Sequence, residues 1–133
     1  MANFWKSMAA YVLPTFPLAY FWHLTTFAAQ YAAFGMLRPD PIIPFGLGSM
    51  LLQGALFSWA YPRLFDTARE RWLGAGLKAG LVFGLIAWSF AVLAVAAKYR
   101  SASTVGFMAL ESAFTALQFA IVGPLMALAQ RLR

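Results

Sequence analysis

The chain has no cysteine and few charged or titratable side chains. The absence of cysteine excludes disulfides, thiolate metal ligands and a cysteine nucleophile. Aspartate and glutamate together number 4 and there is one histidine, so we expect neither a metal site nor paired hydrolytic carboxylates. No nucleophile elbow and no glycine-rich phosphate loop occur in the sequence. We therefore do not expect an enzyme that acts alone.

What the chain has instead is apolar surface. Of its 133 residues, 62% are hydrophobic and 11% are charged, whereas a soluble domain typically has about 45–50% apolar and about 25% charged residues. This composition predicts an integral membrane protein. The net charge of +6 comes from basic residues placed where the apolar runs end. That placement is typical of headgroup contact and membrane topology, so we expect no nucleic acid as a partner.

Four apolar runs are long enough to cross a bilayer, which needs about 20 residues per helix. They predict an all-α fold, an integral membrane four-helix transmembrane bundle that forms one domain over residues 1–133. Pro14 and Pro17 fall early in the first run, so its helix either begins near Pro17 or is kinked there. Residues 62–75 form the longest polar connection and predict a short interfacial helix. The predicted spans are residues 8–34, 42–61, 76–97 and 105–128.

The basic residues also predict the orientation of the spans. With both termini on one side of the membrane, that side carries seven lysines and arginines against three on the other. Because cytoplasmic segments are enriched in basic residues, both termini are expected in the cytoplasm. The seven are Lys6, Arg63, Arg69, Arg71, Lys78, Arg131 and Arg133, and the three are Arg38, Lys98 and Arg100.

A glycine ladder marks the third run. Gly76, Gly80 and Gly84 are spaced four apart and share one helix face, which allows a neighbouring backbone to approach closely. We expect helix packing there. Before the fourth run, Ser103 or Thr104 is expected to cap the helix.

Glu111 is the one acid well inside an apolar run, and a carboxylate there needs an internal partner or a function. Counting residues from the outer ends of their runs places His23 within about one helical turn of the depth of Glu111. We therefore predict a His23–Glu111 contact. Buried together, each side chain would stabilise the charged form of the other.

Polar side chains on three runs form stripes at helical spacing, and we expect all three to face the bundle core. The interpretation as ordinary interhelical packing stays open beside a role in ligand, proton or cofactor handling. The stripes are Glu111, Thr115 and Gln118; His23, Thr26 and Gln30; and Gly46, Ser49 and Gln53. The candidate ligand-binding residues are His23, Thr26, Gln30, Gln53, Glu111, Thr115 and Gln118.

Two local patterns are similar to those of known membrane proteins. Ala19 four residues before His23 resembles the Ala-xxx-His arrangement of light-harvesting polypeptides, which implies a tetrapyrrole at His23 as a minor alternative to having no cofactor. Small multidrug-resistance exporters also have four spans and one membrane carboxylate. Their acid lies in the first span, whereas Glu111 lies in the fourth, so the chain departs from that pattern.

The layout as a whole resembles uncharacterised small four-span inner-membrane proteins of proteobacteria. The residues that carry the resemblance are His23, Gln30 and Tyr31, Arg38 after the first run, Tyr61-Pro62 at the exit of the second, and the glycine ladder. It implies the architecture and a multi-pass location in a bacterial inner membrane.

Three hypotheses on function follow. The first is a non-catalytic accessory or interaction subunit, in contact with the lipid bilayer and with other membrane subunits or copies of itself. The second is a binder or carrier of a small apolar or cationic molecule that uses Glu111 and His23. The third is a proton-coupled function in which Glu111 titrates. A closed, filled bundle favours the first, whereas a cavity that opens at Glu111 favours the second.

Overall fold

The computed structural model of the chain describes residues 2–68 and 71–131. This part of the chain is helical and contains no strand, which confirms the all-α prediction. Two short π-helical turns, Trp22–Thr26 and Ser89–Leu93, interrupt the α-helices. The helices are α1 (Ala2–Phe21), α2 (Ala28–Phe34), α3 (Ile43–Leu64), α4 (Trp72–Trp88), α5 (Ala94–Lys98) and α6 (Thr104–Arg131).

Three helical stretches in the described ranges are long and apolar enough to cross a membrane. They are Ile43–Leu64, Trp72–Lys98 and Thr104–Arg131, and they correspond to the second, third and fourth predicted spans. The first run is not among them. These three stretches therefore support the prediction that the chain is a membrane protein.

The first run differs from its prediction in where it begins and where it breaks. Helix α1 begins at Ala2 and continues as α-helix past Pro14 and Pro17 to Phe21, so of the two predicted alternatives the start near Pro17 is wrong. The interruption comes later, where the N–H of Phe27 donates to the carbonyl oxygen of Trp22 at 3.0 Å. This bond spans five residues, as in a π-helix, and adds one residue to the turn.

The predicted interfacial helix over residues 62–75 is not formed at residues 65–68, in the connection between α3 and α4. Helix α3 continues to Leu64, and residues 65–68 are non-helical, so the predicted interfacial helix is wrong there. Asp66 organises this segment: its carboxylate accepts from the Ala68 N–H and from Arg71 Nε, each at 2.7 Å. Arg69 and Glu70, within the predicted interfacial helix, lie outside the described residues.

Helix α6 lies at the centre of the fold. It packs against α4 on one side and against α1 on another, and α3 packs mainly against α1. One end of the bundle is closed by a buried core in which the Phe57 and Phe83 rings stack at 4.4 Å. At the other end, the first half of α3 is largely exposed. The core consists of Tyr11, Tyr61, Ala79, Phe83, Phe119, Val122, Met126 and Ala127.

The glycine ladder lies where α4 and α6 cross. A Cβ atom added at Gly76 would lie 2.8 Å from Pro124 Cα, and one at Gly84 would lie 3.1 Å from Phe119 Cβ. At Gly80 it would overlap the carbonyl oxygen of Phe119. The two backbones are therefore in direct contact, which only residues without a side chain permit.

The opposite end of the bundle is tied together by backbone and hydroxyl groups. Gly35 ends α2 with a φ of 70°, a left-handed conformation that glycine adopts without strain. The Phe34 carbonyl oxygen accepts from the Ala102 N–H at 3.1 Å, which joins the end of α2 to the segment before α6. Ser103 Oγ accepts from the Gly106 N–H at 3.1 Å, which confirms the predicted cap.

Candidate functional site

His23 and Glu111 meet between the first π-helical turn and α6. Nε2 of His23 lies 2.8 Å from Oε1 of Glu111, so the contact predicted from depth is present. The side chains are 20% and 11% exposed, respectively. Partial burial strengthens this bond, because little water competes for the two groups.

The second ring nitrogen of His23 fixes where the protons lie. Nδ1 is 3.0 Å from the carbonyl oxygen of Ala19, and a carbonyl can only accept, so Nδ1 carries a hydrogen. Nε2 and the carboxylate then share one proton, since a 2.8 Å approach of two bare acceptors would be repulsive. Wherever this proton sits between them, the pair is neutral as a whole.

Aromatic side chains surround the pair. The Tyr31 ring lies 4.7 Å from the His23 ring, and Phe114 contacts the same ring edge-on at 4.6 Å. Tyr31 is 2% exposed, its hydroxyl interacts with the Glu111 carboxylate and it accepts from Trp22 Nε1 at 3.2 Å. These rings hold the imidazole in place and keep water away from the carboxylate.

The predicted stripe of His23, Thr26 and Gln30 is wrong for its last two members, which are exposed. The physical reason is the π-helical turn, which adds a residue between them and His23. In an unbroken α-helix, seven residues complete about two turns and place Gln30 beneath His23. With the extra residue, the eighth residue, Tyr31, takes that position.

A second polar cluster lies deeper and joins α1, α3 and α6. The Tyr11 hydroxyl donates to Gln53 Oε1 at 2.6 Å and accepts from Gln118 Nε2 at 3.3 Å. Gln118 Nε2 also lies 3.4 Å from Thr15 Oγ1. The structure thus brings Gln53 and Gln118 together through Tyr11, which sequence reasoning missed. The pattern Tyr11, Thr15, Ala19, His23, spaced four apart, could have identified it.

The remaining predicted residues have other surroundings. Thr115 Oγ1 donates to the carbonyl oxygen of Glu111 at 2.9 Å, within its own helix, and not to the carboxylate. Ser49 accepts from Gln53 Nε2 at 3.0 Å. Gly46, Ser49 and Gln53 are all exposed, so their predicted position in a closed core is wrong. Helix α3 packs mainly against α1 and makes little contact with α6.

This open side of the bundle contains a cavity of about 610 Å³. One wall comes from α1 and the first π-helical turn, and the other from the loop after α2 and the first half of α3. His23 belongs to the wall, whereas its partner Glu111 is not among the lining residues. Tyr20 and Arg38 are the other polar side chains of the wall. The apolar part consists of Phe16, Ala19, Leu24, Leu37, Pro41, Ile42, Ile43, Phe45, Gly46, Leu47 and Met50.

The donor set of this site suits hydrogen bonding to a ligand better than metal binding. Within the described residues no three histidine, cysteine, aspartate or glutamate side chains form a cluster. Ligation of a tetrapyrrole metal by His23 would require the loss of its bond to Glu111 or to Ala19. Ala19, the small residue one turn before His23, instead provides the carbonyl oxygen that accepts from Nδ1.

Comparison with known proteins gives no family for this chain. No family model, curated protein or solved structure matches it. The resemblance to four-span proteins of proteobacteria therefore stays a prediction.

Proposed function

We propose that the chain is a four-span membrane protein that binds a small, largely apolar molecule in the cavity between α1 and α3. His23, which is bonded to Glu111, is the least exposed of the polar side chains in the cavity wall. The observation that carries this proposal is the position of the cavity, which opens at His23 and thus at the side chain bonded to Glu111. A closed and filled bundle would have favoured an accessory or self-associating subunit instead.

The size and lining of the cavity support a ligand site. Its volume lies within the range of about 300–1,000 Å³ that is usual for small-molecule pockets. Most of its lining is apolar, and its polar side chains are those of His23, Tyr20 and Arg38. Such a lining favours a molecule with an apolar body and one polar group.

The packing of α1 supports the assignment of the first run as a span beside the three apolar stretches. Tyr11 and Thr15 of α1 are buried and bond to Gln53 of α3 and Gln118 of α6. Helices α3 and α6 are each long and apolar enough to cross a membrane. A helix that packs along both of them is expected to lie in the membrane with them. The charge distribution of the sequence supports cytoplasmic termini, and the resemblance supports a bacterial inner membrane.

The proton shared by His23 and Glu111 would couple ligand binding to protonation. If a ligand separates Nε2 of His23 from Glu111, the proton between them must move to one partner or leave. Binding from the cavity side would then alter the protonation of the pair. This form of the proposal unites the carrier hypothesis with the proton-coupled one.

Photolabelling in lipid vesicles tests the proposal. The probe is decanol with a diazirine on its chain, and peptides are analysed by mass spectrometry after irradiation. We expect labelling of residues 16–24 and 42–50 that saturates and is displaced by unlabelled decanol. Labelling by bulk lipid contact alone would not saturate and would contradict the proposal.

Two glycines of α3 provide matched variants. An added Cβ meets no atom within 4 Å at either Gly46 or Gly48, and only Gly46 lines the cavity. Gly46→Phe fills the cavity and is expected to abolish saturable labelling, while Gly48→Phe retains it. Equal labelling of the two variants would contradict the assigned site.

A further inference from the structure

Arg38 lies at the mouth of the cavity. The loop between α2 and α3 carries it, and its side chain is 63% exposed. Among the described residues that line the cavity, Arg38 is the one with a net charge of its own. The His23 imidazole shares a proton with Glu111, and that pair is neutral as a whole. No described lining residue is acidic, and the Glu111 carboxylate behind the wall is engaged by His23.

The guanidinium of Arg38 keeps most of its donors available. Its Nε donates to the carbonyl oxygen of Asp40 at 3.4 Å, and one terminal nitrogen donates to the Asp40 carboxylate at 3.3 Å. A guanidinium has five N–H donors, so three remain. Both bonds are long, and the Asp40 side chain is 77% exposed, so this surface pair holds Arg38 weakly.

The orientation of the spans does not depend on Arg38. It lies at the end of the bundle opposite the termini, where the orientation by charge leaves three basic residues against seven. A basic residue there is not needed to set the orientation.

The cavity changes in polarity along its length. Arg38 is at the mouth, His23 follows on the wall, and Phe16 and Met50 line the inner end. Along α3, the distance from Ile43 to Met50 is about 10 Å at a rise of about 1.5 Å per residue. A charged mouth above an apolar shaft matches an amphiphile with a charged head and a single chain.

We propose that the cavity takes a single-chain anionic amphiphile, with a carboxylate or phosphate head on Arg38 and an alkyl chain running past His23 to Phe16 and Met50. This inference rests on the proposed function, since it names the ligand class of the same cavity. The planar guanidinium pairs with either head through two parallel N–H donors. A cationic ligand would meet Arg38 at the mouth and no free acid in the wall.

Competition against the diazirine-bearing decanol tests this ligand class. Decanoate, decyl phosphate, decanol and decyltrimethylammonium share one chain length and differ in the head. The concentration of each competitor in the vesicle membrane is measured at pH 8. Differences in how the four compounds partition between water and membrane then do not affect the comparison. We expect one or both anions to displace the probe at a concentration about ten-fold lower than decanol, the ratio expected of one charge-assisted contact. The better of the two anions identifies the head.

Arg38→Gln is expected to remove this preference while decanol itself still displaces the probe. Lys98→Gln, at the same end of the bundle and outside the cavity lining, is expected to retain the preference. Equal potency of anions and decanol in the wild type, or a preference that survives Arg38→Gln, would overturn the inference and leave the proposed function standing. Labelling that never saturates would overturn both.

Discussion

His23 is bonded through both ring nitrogens, to Glu111 Oε1 at 2.8 Å and to the carbonyl oxygen of Ala19 at 3.0 Å. The first bond fastens the π-helical turn to α6, and the second orients the imidazole within its own helix. Because the same ring lines the cavity between α1 and α3, His23 both joins two elements of the bundle and borders the proposed ligand site.

The pair is expected to stabilise the fold as a unit. His23→Phe and Glu111→Met each leave a polar partner without its bond and should lower the free energy of unfolding by about 1–3 kcal/mol. The double variant should lose less than the sum of the two, with a coupling of about 0.5–3 kcal/mol. Thermal unfolding in nanodiscs measures all of these variants. Thr26→Ala, on the same π-helical turn and exposed, is the control with no expected change. Strict additivity would show that the two side chains do not interact.

Gly80 is expected to tolerate no side chain. Its added Cβ would overlap the carbonyl oxygen of Phe119, which is backbone and has little room to move. Gly80→Ala should therefore destabilise the chain by about 1–3 kcal/mol. Gly74→Ala lies in the same helix with no atom within 4 Å of the added Cβ, and it should be neutral or stabilising by up to about 1 kcal/mol. Similar unfolding temperatures for the two variants would contradict the close crossing of α4 and α6.

Asp66 gives the connection between α3 and α4 a pH dependence. The Ala68 backbone N–H, followed by the Arg71 side chain, holds the pKa of the Asp66 carboxyl below its usual range. Since this pKa is lower in the folded chain, the carboxylate stabilises the fold above about pH 4, and the contribution is lost as the pH falls through the lowered value. Asp66→Asn should remove this part of the acid sensitivity in thermal unfolding between pH 7 and pH 3. An unchanged pH profile in the variant would show that Asp66 does not contribute.

Much of the framework follows from the sequence because it depends on composition and spacing. The second, third and fourth apolar runs correspond to helices long enough to cross a membrane. The depth of Glu111 and His23 follows from counting residues along regular helices, and their contact is present. The ladder at Gly76, Gly80 and Gly84 indicates a close approach, although nothing in its spacing names Gly123 of α6, which lies opposite.

The remaining features of the fold and of the candidate site depend on departures from regular helix that no sequence pattern predicts. The π-helical turn at Trp22–Thr26 adds one residue, and this turns Thr26 and Gln30 outward and brings Tyr31 beside His23. The cavity depends on how far α3 leans from α6, a tertiary arrangement with no local pattern. For this reason no local pattern shows that the stripe of Gly46, Ser49 and Gln53 is exposed.

The single histidine of the chain allows the most direct test of the account. ¹⁵N-histidine labelling in lipid vesicles reports His23 alone by solid-state NMR. We predict a protonated Nδ1 and an Nε2 that shares its proton with a carboxylate. Titration with decanol should shift the Nε2 resonance of the wild type and of Gly48→Phe to a saturating value and leave that of Gly46→Phe unchanged. An unprotonated Nδ1 would contradict the proton assignment, and an Nε2 resonance that decanol does not move would contradict the ligand site at the His23–Glu111 pair.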